Sequence, residues 1–134
     1  MRIFLDANIL VSGIVFHGNE HTLLTKRNRN ITFITSEDVV EETKKVLMQK
    51  FPEDAKLIDI FLQLLNLTII KRELYIHKIQ DCTTVRDKKD KHILEVSVAG
   101  KADYIVSGDV DLLSLKIHKN IPIIKAKEAL ILMK

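Results

Sequence analysis

The feature that most constrains this chain is the alternation of short apolar runs with longer stretches of helical spacing. The runs at 3–5, 31–34, 67–70, 104–106 and 122–124 are a few residues each, bounded by polar or turn residues, and read as strands. Between them, apolar residues recur at helical intervals over 8–16 and 21–27, broken at Gly18-Asn19, and over 37–50. In that last segment Ser36 is placed as N-cap, with Glu37 and Asp38 in the first turn. Further helical stretches run over 53–65 after Pro52, over 88–99 up to Gly100, and over 127–133. Four glycines and two prolines are too few to turn an all-β chain. The pattern predicts an α/β fold: a three-layer α/β/α sandwich with a central five-stranded, mainly parallel sheet, formed by one domain over residues 1–134.

Composition narrows the function classes without choosing among them. The 134 residues include a single cysteine, Cys82, which excludes a disulfide framework and a zinc ribbon and suits a reducing cytoplasm. No run approaches 18 apolar residues, and the N-terminus enters a strand with no signal-peptide layout, so neither membrane insertion nor export is expected. Lys and Arg (21) exceed Asp and Glu (18) by three, a balance that permits a polyanionic partner without demanding one.

In a parallel α/β sheet, functional groups gather at the carboxyl ends of strands near the point where strand order reverses. Asp6 follows the first apolar run and Asp109 follows the fourth, in Val106-Ser107-Gly108-Asp109-Val110-Asp111. Asp6 suits two duties, a helix N-cap or a site carboxylate, and Asn8 is an equally good cap. Asp111 suits the N-cap of a short turn over 112–115, whereas Asp109 has no evident structural duty. Gly108 allows a close backbone approach or a positive φ.

Helical phase separates two neighbouring glutamates. At about 100° per residue, the group of Val39, Val40, Val46 and Leu47 leaves Glu42 at the border of the buried face and turns Glu41 to water. Glu42 could equally pair with Lys45 three residues on. Asp90 precedes Ile93, Leu94 and Ser97 by three, four and seven residues, on the core-facing stripe of its helix. A carboxylate there needs a helix N-terminus, a cation or a site mouth to offset its burial. Asp87 reads as the N-cap of the same helix, close enough to join the group.

Asp6, Glu42, Asp90 and Asp109 thus come from four separate segments and could share one pocket. Clustered carboxylates raise one another's pKa or recruit a divalent cation, and all-oxygen ligands select Mg²⁺ or Mn²⁺ over zinc or copper. Cations so held support phosphodiester hydrolysis by water.

At these residues the sequence resembles the PIN domain family, the small nuclease fold of VapC-type toxins in prokaryotic toxin-antitoxin pairs. The resemblance rests on Leu5-Asp6-Ala7-Asn8-Ile9-Leu10-Val11-Ser12, Ser36-Glu37-Asp38-Val39-Val40-Glu41-Glu42, Arg86-Asp87-Lys88-Lys89-Asp90, and the segment 102–113 around Ser107-Gly108-Asp109-Val110-Asp111. It implies a metal-dependent endoribonuclease whose catalytic and metal-binding positions fall on Asp6, Glu42, Asp90 and Asp109, with Asp111 as an added acidic residue. Asn8 would brace the first carboxylate, and Ser107 would support the site. The implied cofactor is Mg²⁺ or Mn²⁺. The implied partners are an RNA substrate, a small antitoxin protein and a second copy of the chain in a dimer.

Other constellations say less. Basic clusters at Lys26-Arg27-Asn28-Arg29, 86–91 and 116–119 suit either solvent or phosphates. His17 and His21 read as loop surface and not as a zinc pair, and His92 falls on a different helical face from Asp90. Two further classes compete. One is a PIN-like scaffold that binds RNA or protein without cutting. The other is a phosphorelay receiver-like domain, which would want an acidic pair after the first strand and an aspartate after the third, where Ile70-Lys71-Arg72 stands.

Overall fold

The computed structural model describes residues 1–26, 28–78 and 85–133, excluding the side chains of residues 78 and 85–88. Arg27, Cys82 and the side chains of Arg86, Asp87 and Lys88 therefore lie outside the described residues. The strands are β1 (Arg2–Leu5), β2 (Thr32–Ser36), β3 (Thr68–Ile70), β4 (Tyr104–Val106), β5 (Ile117–His118) and β6 (Ile121–Ile124). The helices are α1 (Ala7–Val15), α2 (Asn19–Thr25), α3 (Glu37–Lys50), α4 (Ile58–Leu65), α5 (Val85–Ala99), α6 (Val110–Leu115) and α7 (Ala126–Leu132).

The strands form one sheet in the order β3-β2-β1-β4-β6-β5, flanked by helices. Every pairing is parallel except β5 with β6. The expected five strands become six, because Ile117–His118 folds back on β6 through Lys119 and Asn120, both at positive φ. Two such residues make the type of two-residue hairpin turn usually marked by Asn-Gly.

Burial explains why the apolar runs became strands. Ile3, Phe4, Leu5, Ile34, Ile105 and Val106 are wholly buried in the main core, joined by Ile9 and Leu10 of α1 and by Ile93 and Val96 of α5. Burying one such side chain contributes about 1.5–3 kcal/mol. A smaller cluster of Val11, Leu47 and Ile58 ties α1, α3 and α4 together.

Helix termini follow their sequence signals with two corrections, at Asp87 and Asp111. Ser36 caps α3 as expected, its Oγ accepting from the Val39 amide at 3.0 Å. Gly100 ends α5 without the left-handed conformation, which falls on Lys101 (φ 55°). Gly100 is instead a packing glycine: a Cβ there would lie 3.0 Å from Ile34 Cδ1 and 3.2 Å from Ile70 Cδ1. Asp87 is not the N-cap of α5, because that helix begins at Val85. Asp111 is not the cap of α6 either. That duty belongs to Asp109, whose Oδ1 accepts from the Asp111 amide at 2.9 Å.

Candidate active site

The sheet order places β1 beside β4, and their register sets Leu5 opposite Val106, so that the next residues, Asp6 and Ser107, emerge side by side. The Asp6 amide donates to the Val106 carbonyl at 3.1 Å, continuing the ladder by one bond. The strand order reverses here, running from β1 through β2 to β3 on one side and from β4 to β6 on the other. This switch point is where parallel α/β sheets present their functional groups.

Asp6 is only 1% exposed, and both of its oxygens are fixed. Oδ1 accepts from the Ala7 amide at 2.7 Å, capping α1, and Oδ2 accepts from the Ser107 hydroxyl at 2.8 Å. The two duties foreseen for Asp6 are therefore compatible. Burial pushes its carboxyl above the usual carboxylate range, against the opposing pull of Ser107, Ala7 and the Lys89 charge, and Glu42 adds to the rise.

Ser107, fully buried, also accepts from the Asp109 amide at 3.0 Å. One hydroxyl thus sets both the first carboxylate and the backbone of the second. Asn8, already inside α1, acts on the loop and not on the first carboxylate: its Oδ1 accepts from the Gly108 amide at 3.1 Å. No described glycine has positive φ, and a Cβ at Gly108 would meet Asn8 at an ordinary 3.7 Å, so neither a positive φ nor a close approach reserved for glycine is found there.

Glu42 projects from α3 at the border of the buried face, partly exposed, and its ion-pair partner is not Lys45. Lys89 Nζ lies 3.2 Å from Glu42 Oε1. Partial burial works against the Lys89 charge, but Glu42, Asp6 and Asp109 together outweigh it and hold the ammonium above its usual range. Three of the four expected carboxylates therefore act on a single cation. Asp90, half-buried, follows Lys89 by one residue and shares its helical stripe with buried Ile93 and Ser97. Asp111 sits in the first turn of α6, its amide on Asp109.

A second polar network, centred on Asp38, escaped the sequence reading. Asp38 Oδ1 accepts from Arg72 Nε at 2.8 Å, and its Oδ2 accepts from the hydroxyl of buried Tyr75, also at 2.8 Å. Arg72 reaches on to Glu41 at 3.0 Å, which fixes Glu41 on the solvent side. Burial and Asp38 push the Tyr75 hydroxyl up to about 12. His92 packs edge-on against Tyr75, shares a 2.9 Å hydrogen bond between its Nε2 and Ser36 Oγ, and turns Nδ1 toward Asp38 at 3.6 Å. Burial lowers the pKa of this imidazole despite Asp38 and Glu42. The Ser36, His92 and Asp38 set has the members of an acyl-transfer triad. Ser36 is fully buried and caps α3, so the set serves as a brace between α3 and α5. The lone signal in the sequence was a polar residue in the first turn, which dipole and capping arguments had already absorbed.

The donor set suits a hard divalent cation in kind, since it offers oxygens only, and one of its carboxylates, Glu42, is already paired with a cation, Lys89. Among the described residues, no group of three or more His, Cys, Asp or Glu side chains stands close enough together to hold a metal ion. Among the described residues, no helix is long and apolar enough to cross a membrane.

The sheet thus presents one buried carboxylate, Asp6, and one partly buried, Asp109, where β1 and β4 lie side by side. The family profile described as the PIN domain matches residues 2–111, and the chain belongs to that family. The fold is similar to the crystal structure of VapBC2 from Rickettsia felis bound to a promoter DNA fragment. There the TM-score is 0.66 and the identity 21%, over 93% of this chain and 98% of that one. It is also similar to Mycobacterium tuberculosis VapC20, a toxin that cleaves the sarcin-ricin loop. In that case the TM-score is 0.60 and the identity 12%, over 90% and 98% of the two chains. A comparison with curated protein sequences gives no match.

Proposed function

We propose that this protein is a Mg²⁺- or Mn²⁺-dependent endoribonuclease, the toxin member of a toxin-antitoxin pair working in the cytoplasm. The observation that carries the reading is the buried Asp6 carboxylate, held by the Ser107 hydroxyl that also accepts from the Asp109 amide. Family membership and the RNA-cleaving VapC20 neighbour support it.

Asp6, Asp90 and Asp109 would hold the cation, with Glu42 completing the set directly or through water, and Asp111 adding negative charge nearby. When bound, the cation supplies a water nucleophile and offsets charge on the leaving oxygen of the phosphodiester. The chain's own residues do the rest. Ser107 keeps Asp6 pointed at the site, Asn8 pins the Gly108 loop, and the Asp38 network holds α3 against α5 so that Glu42 and Asp90 keep their separation. Lysines and arginines outside the site would meet RNA phosphates, with affinity falling as salt rises. A small antitoxin as partner belongs to the same reading, supported by the VapBC2 structural neighbour, and a homodimer is proposed with it from the family resemblance alone.

The test is cleavage of a structured and a single-stranded RNA in Mn²⁺, Mg²⁺ or EDTA, with Asp6→Asn prepared identically. Cleavage should need the metal and vanish in the variant. The variant's melting temperature should hold or rise, since an amide removes the cost of a buried carboxylate. A variant that cuts at the wild-type rate would sink the site assignment. One observation favours a second reading, a PIN scaffold that binds RNA or protein without cutting: among the described residues, no three carboxylates stand close enough together to hold a metal ion. RNA binding without cleavage under every metal condition would establish it.

A further inference from the structure

Lys89 is the residue that the proposed chemistry leaves unexplained. It lies one position before Asp90 on α5, and its ammonium is 3.2 Å from Glu42 Oε1. Its side chain is about half exposed (49%), so it has room to swing away. Nothing in the core requires it there, and a lysine on a helix surface with water available has no need to turn inward. Its ion-pair partner is Glu42, and the charges of Asp6 and Asp109 add to the same pull without an ion pair of their own to it among the described residues. A hydrated magnesium ion and an ammonium differ in charge and in coordination geometry, but both answer to carboxylate oxygens. A lysine tethered at the same carboxylates is therefore always present at high effective concentration.

We propose that Lys89 is an internal competitor for the cation site: its ammonium neutralises Glu42 and its neighbours, and a divalent cation is held there only when Lys89 has moved off. This rests on the nuclease reading above and adds to it a built-in brake on metal loading. The site would load only where the free divalent cation is plentiful, and the protein would keep a stable acidic cluster without it. A mobile cation beside the carboxylates would also be released toward the RNA phosphates as the site loads.

The experiment measures Mn²⁺ binding to the protein alone, without RNA, by electron paramagnetic resonance titration and by calorimetry. Wild type, Lys89→Met, Lys89→Arg and Asp6→Asn are compared, each first shown to be folded by circular dichroism. Lys89→Met should bind Mn²⁺ roughly tenfold more tightly, equal to about 1.4 kcal/mol. Lys89→Arg, which keeps the charge, should show no gain. In EDTA, Lys89→Met should melt at a lower temperature than wild type, because its carboxylates have lost their counter-charge. Added Mn²⁺ should raise its melting temperature by more than it raises that of wild type. Equal or weaker binding by Lys89→Met, with binding still lost in Asp6→Asn, would overturn the competitor role while leaving the cation site intact. Identical binding by all four proteins would instead remove the cation site itself and the nuclease reading with it.

Discussion

Replacing Ser107 with Ala tests the central geometric claim, because one hydroxyl serves two partners. Ser107 is fully buried, donates to Asp6 Oδ2 at 2.8 Å and accepts from the Asp109 amide at 3.0 Å. Removing it takes a charge-assisted bond, worth roughly 1.5–3 kcal/mol, from a carboxylate that burial already disfavours, and leaves a partly buried amide unpaired. These losses overlap, so a combined cost of about 2–3 kcal/mol is the reasonable sum. Unfolding entropy of about 2.1 cal/mol/K per residue gives a chain of this size roughly 0.28 kcal/mol/K, and the melting temperature should then fall by about 7–11 °C. The assay is thermal unfolding by circular dichroism at neutral pH in EDTA. The same measurement on Asp6→Asn and on the double variant closes a thermodynamic cycle. A drop under about 2 °C, or a coupling near zero between the two positions, would refute the reasoning.

Two other perturbations separate structure from chemistry. Glu42→Gln should abolish metal-dependent cleavage while Glu41→Gln, whose partner is Arg72 on the solvent side, should leave it within about twofold; equal losses measured on the same RNA would remove the distinction drawn from helical phase. Asp38 is pushed up by its burial, but hydrogen bonds from Arg72 and Tyr75 and the nearby His92 and Arg72 charges outweigh that and hold its carboxyl below the ordinary value of 3.8. Its contribution to stability is therefore full above that value and disappears as pH falls through the depressed folded one. The gap in unfolding free energy between wild type and Asp38→Asn, from urea titrations at several pH values, should close toward the acid end. A gap that stays constant would contradict the assignment.

The element types were legible because each depended on local rules. Short apolar runs became β1 to β4 and β6, buried on both faces at the centre of the sheet and largely exposed at the edge strand β3, and the cap at Ser36 started α3 where its hydroxyl could accept from Val39. What stayed hidden depended on partners far away in sequence. The two-residue β5 has no periodicity to read, and its turn uses Lys119 and Asn120 in place of the usual glycine. Asp109 showed no local duty because its capping role required α6 to begin at Val110, two residues earlier than the apolar pattern suggested. Helical phase put Glu42 and Asp90 on inward-leaning faces. It could not show that Glu42 would meet Lys89 from another helix, nor that Asp38, Arg72, Tyr75 and His92 would converge from three segments. The family resemblance supplied the pocket as an expectation; the strand order supplied the adjacency of Asp6 and Ser107.

The adjacency of β1 and β4 has a consequence for the order of events during synthesis. Asp6 and Ser107 are separated by 101 positions, and no shorter-range contact substitutes for their hydrogen bond. While the chain is still emerging, β1 can pair with β2 and β2 with β3, yet the far side of β1 stays open until residues 104–106 are available. Closing so long a loop is among the slowest steps available to a small domain. The acidic groups of the first ninety residues would therefore wait, unassembled, until most of the polypeptide has left the ribosome, and an interrupted translation product would carry the carboxylates without the arrangement that makes them a site.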